Sequence, residues 1–158
     1  MKIRKATFED WQKLRDINHS LWVYEHDNFT PIWNTHWPFG SEGEDYYQRI
    51  FKDEDWCIFF CEEKGKLIGY LVGKISAKNI TYLNDIDSVA SLEHMFIEEK
   101  YRRNGAGREL IEKFVVWVKE KKAQRIEVHV LFNNTQAVEF YRSLGFEDFE
   151  LILVKKVE

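Results

Sequence analysis

The sequence predicts an α/β domain built on one mixed, mostly antiparallel sheet with helices on both faces. Its 158 residues are 44% hydrophobic and 32% charged, which suits a single domain with a substantial core. Strand patterns at hairpin spacing occupy the middle of the chain, and helix and strand patterns alternate after it. The predicted order of elements is therefore β-α-α-β-β-β-α-β-α-β.

The first third of the chain predicts one strand and two helices. Residues 2–6 suit a short strand, and Thr7 with Asp10 has the spacing of a capping box. The first helix has apolar residues at helical spacing, namely Trp11, Leu14, Ile17 and Leu21. A second helix is predicted over about residues 44–52. Residues 22–43, between the two, are rich in aromatic side chains and lack clear periodicity.

The middle of the chain predicts three strands. Residues 56–62 and 67–76 form a hairpin around the Lys64-Gly65-Lys66 turn, and residues 87–98 form the third strand. Cys57 and Cys61 fall on one face of the first of these strands, too far apart for a disulfide. We expect both to be buried, reduced thiols.

The last third alternates helix and strand. Residues 108–122 predict a helix whose apolar stripe is Leu110, Ile111, Phe114, Val115 and Val118. Residues 125–131 predict a strand, and Asn133 or Asn134 caps a short helix that ends at Gly145. Residues 149–157 predict the closing strand.

Charge and composition argue against several classes of protein. The net charge of −4 disfavours a dedicated nucleic-acid binder, which usually carries a basic surplus. No apolar leader or long apolar stretch occurs, so no membrane association and a cytoplasmic location are expected. The two cysteines have no further ligands nearby, and no metal is expected.

A glycine-containing loop follows the third strand of the middle region. It reads Arg102-x-x-Gly105-x-Gly107 and opens a helix, with Arg103 and Arg108 adding positive charge. Backbone N–H groups at a helix start can bind an anion, and the glycines allow close approach. Such a loop alone is often only a tight turn. A Rossmann loop would need a third glycine after a first strand, and a Walker loop would need Gly-Lys-Ser/Thr.

A second motif lies near the end of the chain and comprises Asn134, Ala137, Tyr141, Gly145 and Phe146. Together the two motifs resemble the acetyl-CoA-binding motifs of the Gcn5-related N-acetyltransferase (GNAT) family. The resemblance is specific from about residue 92 onward and loose before it. It implies one N-acetyltransferase domain over residues 1–158, with an acceptor side over about 1–55 and an acyl-CoA-binding region over about 90–146.

The resemblance also implies roles for single residues. Acetyl-CoA would be the cofactor, coenzyme A the product, and no metal would take part. Tyr141 resembles the general acid that protonates the leaving thiolate, and Glu93 is the candidate base that takes a proton from the amine, directly or through water. His94 is expected on the opposite face from Glu93, as a core histidine. The expected cofactor-binding residues are Met95, Phe96, Ile97, Arg102, Arg103, Asn104, Gly105, Ala106, Gly107, Arg108, Asn134 and Tyr141.

The acceptor side is less determined. The candidate residues for a cation-binding aromatic cage are Trp22, Tyr24, Trp33 and Trp37. Acidic residues nearby also favour a cationic amine, namely Glu25, Asp27, Glu42, Glu44 and Asp45. The alternative is that the rings pack the first helices onto the sheet. Polyamines, aminoglycosides, amino acids and peptide N-termini all remain open as acceptors.

Other functions compete with an acetyltransferase. A non-catalytic acyl-CoA-binding or sensing module would keep the same cofactor site without turnover. A nucleotide-binding regulator is disfavoured because no metal-ligating set stands at P-loop spacing. An exposed edge strand at residues 149–157 could support a homodimer.

Overall fold

The computed structural model of the chain describes residues 1–78 and 85–157. Five strands form in this part of the chain, namely β1 (Lys2–Lys5), β2 (Trp56–Glu63), β3 (Lys66–Lys78), β4 (Ser88–Ile97) and β5 (Arg125–Val128). Four α-helices accompany them, namely α1 (Trp11–Asn28), α2 (Ser41–Ile50), α3 (Ala106–Glu120) and α4 (Thr135–Ser143). Short 3₁₀ turns precede α1, α2 and α3.

The strands form one sheet in the order β1-β2-β3-β4-β5. Neighbours pair antiparallel except β4 and β5, which run parallel. The predicted mixed, mostly antiparallel sheet is therefore confirmed. The β2–β3 turn is as tight as expected, because Lys64 and Gly65 both adopt positive φ, at 50° and 78°, as two-residue hairpins favour.

Each face of the sheet has its own core. On one face α1 and α2 cover a cluster that includes Leu14, Tyr47 and Tyr70. On the other face α3 and Tyr141 of α4 pack over a cluster that includes both cysteines. Cys57 and Cys61 are free and buried, as predicted, and burial raises their thiol pKa values to about 12 and about 11. Helices on both faces are thus confirmed.

The start of α1 follows the sequence prediction, but its end does not. The Thr7 N–H donates to Oδ2 of Asp10 at 3.1 Å, as a capping-box residue should. The helix then continues to Asn28, so the first part of the aromatic segment, predicted to be irregular, is helical. The apolar residues of this part of α1 show no clear helical spacing because its residues lie against the end of the sheet and are only partly buried.

The predicted closing strand at residues 149–157 is wrong. This segment forms no strand, and β5 ends at Val128 rather than residue 131. The composition of residues 149–157 suits a strand, but a strand forms only where the edge of a neighbouring strand pairs with it. Its large apolar side chains are at least 64% exposed, namely Phe149, Leu151, Ile152, Leu153, Val154 and Val157.

A β-bulge interrupts the β3–β4 pairing at Glu93. Gly73 pairs with Leu92, but the next β3 residue, Val72, pairs with His94, which leaves Glu93 as the extra residue. The bulge corrects the prediction that Glu93 and His94 face opposite sides. Both lie on the α2 face of the sheet. His94 contacts Tyr46 of α2. Glu93 pairs with Lys74, whose ammonium group lies over the Trp56 ring, and this ring packs edge-on against Tyr46.

One buried amide joins α1 to α2 and β3. Asn18 is 1% exposed, and its Nδ2 donates to the hydroxyl of Tyr70 on β3. Its Oδ1 accepts from the Tyr47 hydroxyl of α2 and, at 3.0 Å, from Nε1 of Trp22. Tyr47 and Tyr70 are as buried as Asn18, so their hydroxyl groups depend on Asn18 for a partner.

Replacing Asn18 should be among the most destabilising changes in α1. Asn18→Ala leaves several buried polar groups unpaired and should lower the free energy of unfolding by about 3 kcal/mol. Gln12→Ala, at an exposed site on the same helix, should change it by less than about 0.5 kcal/mol. Urea unfolding measures both, and equal losses in the two variants would contradict the role of the network.

Candidate active site

The site begins where β4 and β5 stop pairing. Parallel pairing runs from Val89 with Arg125 to Leu92 with Val128, whereas β4 continues to Ile97. Among the described residues, this last part of β4 pairs only with β3. Its backbone groups on the β5 side are therefore available to an extended ligand. The predicted residues Met95, Phe96 and Ile97 all lie in this stretch.

The start of α3 supplies the predicted anion site. Gly105 precedes the helix at φ 86°, and Arg103 also has a positive φ of 63°. The backbone hydrogen bonds of α3 begin with the Glu109 N–H, which donates to the Gly105 carbonyl at 3.0 Å. In the described chain, the N–H groups of residues 103–108 reach no loop or turn carbonyl. They form a cradle of free donors at the positive end of a helix.

Gly107 brings α3 close to α4. A Cβ at this position would lie 3.0 Å from the ring of Phe140. The neighbouring residue of α4, Tyr141, packs against Phe140 and Phe146 with ring centroids 5.2 Å and 5.5 Å away. The second glycine of the loop therefore sets the position of the helix that carries Tyr141.

The loop side chains divide into those that are engaged and those that are exposed. Arg102 donates from Nε to the Ile97 carbonyl at 2.9 Å, and its guanidinium lies 4.5 Å from the ring centre of Tyr24. Arg103, Asn104 and Arg108 are exposed, whereas Ala106 is buried in the core. A surface cleft beside the loop is lined by Tyr24, Asn28, Glu99, Arg102, Arg103 and Gln136.

Tyr141 and Asn134 occupy α4 as predicted. Oδ1 of Asn134 accepts the Ala137 N–H at 3.2 Å, so Asn134 rather than Asn133 caps the helix. Gly145 ends it at φ 88°. Tyr141 is 8% exposed, and its burial, followed by repulsion from Glu25, raises the pKa of the phenol well above its usual value. The phenol therefore stays protonated at neutral pH and can donate a proton.

Glu93 lies at the mouth of the opening but has a partner. Its carboxylate is 3.2 Å from Nζ of Lys74. Next to it, Nε2 of His94 is 3.3 Å from the Tyr46 hydroxyl. Burial lowers the pKa of His94 to about 4, with Glu93 opposing and Lys74 assisting the shift.

The four predicted acceptor aromatics do not form one cage. Trp22 stacks on Trp37 at 5.4 Å and meets Trp33 edge-on at 5.6 Å. Tyr24 lies apart from them, against Phe96 at 6.2 Å and under the Arg102 guanidinium. The three tryptophans therefore help to pack α1 and α2, while Tyr24 borders the surface cleft beside the glycine-containing loop.

Sequence reasoning did not single out Glu25. It stood among several acidic residues near the aromatic segment, and only the extension of α1 places it beside the opening. It is partly buried, and its burial raises the pKa of the carboxylate, an effect that the neighbouring Trp33 indole partly offsets.

Residues 1–78 and 85–157 lack the features of a membrane-spanning helix and of a metal centre. No helix there combines the length and the apolarity that a membrane crossing requires. The same residues hold no group of three or more potential metal ligands.

Comparison with known proteins decides the family. A family model described as the acetyltransferase (GNAT) family matches residues 11–146. The chain belongs to the GNAT family. The match includes both motifs and most of the segment that precedes them.

Two curated proteins are similar to this GNAT chain. The uncharacterized N-acetyltransferase MJ1207 of Methanocaldococcus jannaschii is 29% identical over 109 residues, which cover 68% of this chain and 46% of that protein. An N-alpha-acetyltransferase of Sulfurisphaera tokodaii is 24% identical over 110 residues, which cover 68% of this chain and 66% of that protein. The matched segment thus spans between about half and two thirds of these relatives.

Solved structures show the same fold. A tetramutant of the BH1408 protein from Bacillus halodurans has a TM-score of 0.85 at 20% identity, covering 99% of this chain and 100% of that chain. The AAC(6')-Iy structure with the bisubstrate analog CoA-S-monomethyl-acetylneamine has a TM-score of 0.77 at 18% identity, covering 99% and 97%. These likenesses establish the GNAT fold for this chain.

His94 should make this GNAT domain sensitive to acid. Its pKa is about 4 when folded against about 6.5 when unfolded, so the unfolded chain binds more protons between these values. Stability should therefore fall as the pH drops from 6.5 towards 4. From pH 7 to 4.5, the wild type should lose about 2 kcal/mol more than His94→Gln in urea unfolding. Equal losses would show that His94 titrates normally.

Proposed function

We propose that this GNAT chain transfers an acetyl group from acetyl-CoA to a primary amine. The observation that carries the proposal is the opening between β4 and β5, together with the free N–H groups at the start of α3 and the protonated phenol of Tyr141 on α4. Each part suits one part of a thioester cofactor. The family membership supports the same reaction.

The proposed cofactor side comprises about residues 90–146 and binds in two places. The pyrophosphate lies on the N–H groups of residues 103–108, with Arg103 and Arg108 exposed nearby to add charge. The pantetheine arm extends along the unpaired edge of Met95–Ile97 and continues the sheet by backbone bonds. Asn134 and Arg102 act indirectly. Asn134 caps α4, and Arg102 holds the end of β4 by its hydrogen bond to the Ile97 carbonyl.

The proposed chemistry is direct attack of a neutral amine on the thioester. The leaving group is a thiolate whose conjugate acid has a pKa of about 8.5, and a nearby phenol can donate a hydrogen bond or a proton to it as the C–S bond breaks. Tyr141 takes this role. A backbone N–H near Met95 would stabilise the oxyanion. Glu93 is the base that the sequence indicates, and it would act from its pair with Lys74, directly or through a water molecule.

The proposed acceptor is a cationic amine bound on the side of residues 1–55. An AAC(6')-Iy structure holds a bisubstrate analog of an aminoglycoside, and the Sulfurisphaera tokodaii relative is named an N-alpha-acetyltransferase. Both reactions use an amine that is charged in water. The same chemistry admits polyamines, aminoglycosides, amino acids and peptide N-termini.

The cofactor site can be tested with a pair of matched glycine variants. Gly105 and Gly65 both have positive φ and open space around a Cβ, so Glu at either site adds similar strain and charge. Gly105→Glu places the charge in the anion site and should weaken acetyl-CoA binding at least about 100-fold, whereas Gly65→Glu should leave it unchanged.

Isothermal titration calorimetry measures binding in both variants, and thiol release with a panel of amines measures transfer. Binding together with thiol release supports the enzyme. Binding without release from any amine would favour a non-catalytic acyl-CoA-binding module instead. The absence of acetyl-CoA binding by the wild type would contradict the proposal altogether.

The homodimer is a further proposal, and residues 149–157 are its contact. Their exposed apolar side chains should pair with the same segment of a second copy. Light scattering should give twice the chain mass of 19.1 kDa for the wild type and a single chain mass for Leu153→Asp. Val116→Asp, at an exposed valine of α3, should remain dimeric. A monomeric wild type would contradict the contact.

A further inference from the structure

We propose that Glu25 is the carboxylate that receives the acceptor: it binds the ammonium group and takes a proton from it before the amine attacks. This inference rests on the proposed acetyl transfer. It assigns a catalytic group on α1, which lies outside both sequence motifs. Two sets of contacts hold the end of α1 that carries Glu25 beside the opening between β4 and β5, and the charges around Glu25 support the role.

The first set fixes α1 against the end of β4. Tyr24, the residue before Glu25, lies 6.2 Å from the ring of Phe96. The guanidinium of Arg102 covers the Tyr24 ring at 4.5 Å and is itself tied to the carbonyl of Ile97. This turn of α1 is therefore held beside the unpaired part of the cofactor strand.

The second set fixes the end of α1 against the start of α4. Nδ2 of Asn133, just before α4, donates to the Phe29 carbonyl at 3.1 Å. Gln136 of α4 also lines one cleft together with Tyr24 and Asn28. Glu25 thus stands between the cofactor strand and the helix that carries Tyr141.

The third observation concerns charge. Glu25 is partly buried, yet no lysine, arginine or histidine pairs with it in residues 1–78 and 85–157. Its neighbour Trp33 has a buried Nε1 that meets no acceptor with full hydrogen-bond geometry within the same ranges. Burying a carboxylate without a cation is costly, so such a group commonly awaits a cationic ligand. Glu93 differs because it is already paired with Lys74, so we assign the role of the base to Glu25 in place of Glu93, which the sequence indicates.

Glu25 and Tyr141 approach the opening from opposite faces of the sheet. The negative charge of Glu25 acts on the phenol of Tyr141 and also on the buried phenol of Tyr70 from β3. These are the titratable groups that face it from α4 and from the sheet, and Arg102 lies beyond Tyr24. A thioester between the two would have a base on the side of the amine and an acid on the side of the sulfur.

The protons balance in this arrangement. Glu25 takes one proton from the ammonium, and the freed lone pair forms the new C–N bond to the thioester carbonyl carbon. The C–S bond breaks, and the sulfur takes the proton of Tyr141 to leave as coenzyme A thiol. The phenolate regains a proton from the amide nitrogen, and Glu25 releases its own proton to solvent.

The test compares Glu25→Gln with Glu120→Gln, at an exposed glutamate at the end of α3, since both remove one carboxylate and keep the shape. The probes are spermidine, kanamycin, lysine and an alanine dipeptide, with thiol release as the readout. At pH 7, Glu25→Gln should lower kcat/KM about 100- to 1000-fold, whereas Glu120→Gln should leave it unchanged. Calorimetry should give the same acetyl-CoA Kd in both variants and the wild type, which shows that both fold.

The pH profile separates a base from a structural carboxylate. In Glu25→Gln, kcat/KM should rise about tenfold per pH unit up to the pKa of the amine, because only the free amine reacts. Without ligand, Glu25→Gln should also unfold at a higher urea concentration than the wild type, because the unpaired charge is gone. A lower urea midpoint would mark Glu25 as structural and overturn its role.

Two different outcomes would overturn the role of Glu25 and the proposed acetyl transfer. Thiol release by the wild type with undiminished activity in Glu25→Gln would overturn the role of Glu25 alone. Absence of thiol release by the wild type with every probe would overturn the proposed acetyl transfer, and the role of Glu25 with it.

Discussion

The site depends on one constraint in the sheet, the end of the parallel pairing at Leu92 and Val128. Beyond this point β4 follows β3 through the bulge at Glu93, and β5 does not accompany it. Bulges bend a strand and increase its twist, which accounts for the separation. The cost is that residues 95–97 have no neighbouring strand on the β5 side within the described part of the chain, and only the Ile97 carbonyl has a partner there, the Nε of Arg102. The benefit is an opening that side chains can reach from both faces of the sheet.

The elements around this opening are positioned by a few polar contacts in an otherwise apolar core. Asn18 fixes α1 to α2 and β3, and Asn133 fixes the end of α1 to the loop before α4. Such bonds specify geometry more than they add stability, because each net bond contributes only about 1 kcal/mol. A half-buried Glu25 that has no cationic partner among residues 1–78 and 85–157 opposes folding, and the amide network of Asn18 offsets this opposition on the same helix. Local strain at a site is typically supported in this way.

The parts of the molecule that follow local rules could be predicted from the sequence. Gly145 adopts the left-handed backbone that glycine favours and Asn134 caps α4 through its side chain, so the two ends of this helix were predicted correctly. Residues 149–157 were not, because strand formation needs a partner that composition cannot supply. The orientation of His94 depends on a bulge set by pairing with β3. The position of Glu25 depends on contacts with α4, more than 100 residues away in the sequence.

Similar proteins say more about the proposed cofactor side of the site than about the proposed acceptor side. The proposed cofactor half relies on backbone N–H groups, which any chain with this loop and this strand opening provides. It can therefore persist among proteins at 18–29% identity. The proposed acceptor half relies on side chains such as Glu25, which a shared fold does not preserve. The acceptor is therefore best inferred from the charge and burial of those side chains, and an unpaired carboxylate opposite a protonated phenol favours an acceptor that arrives as an ammonium ion.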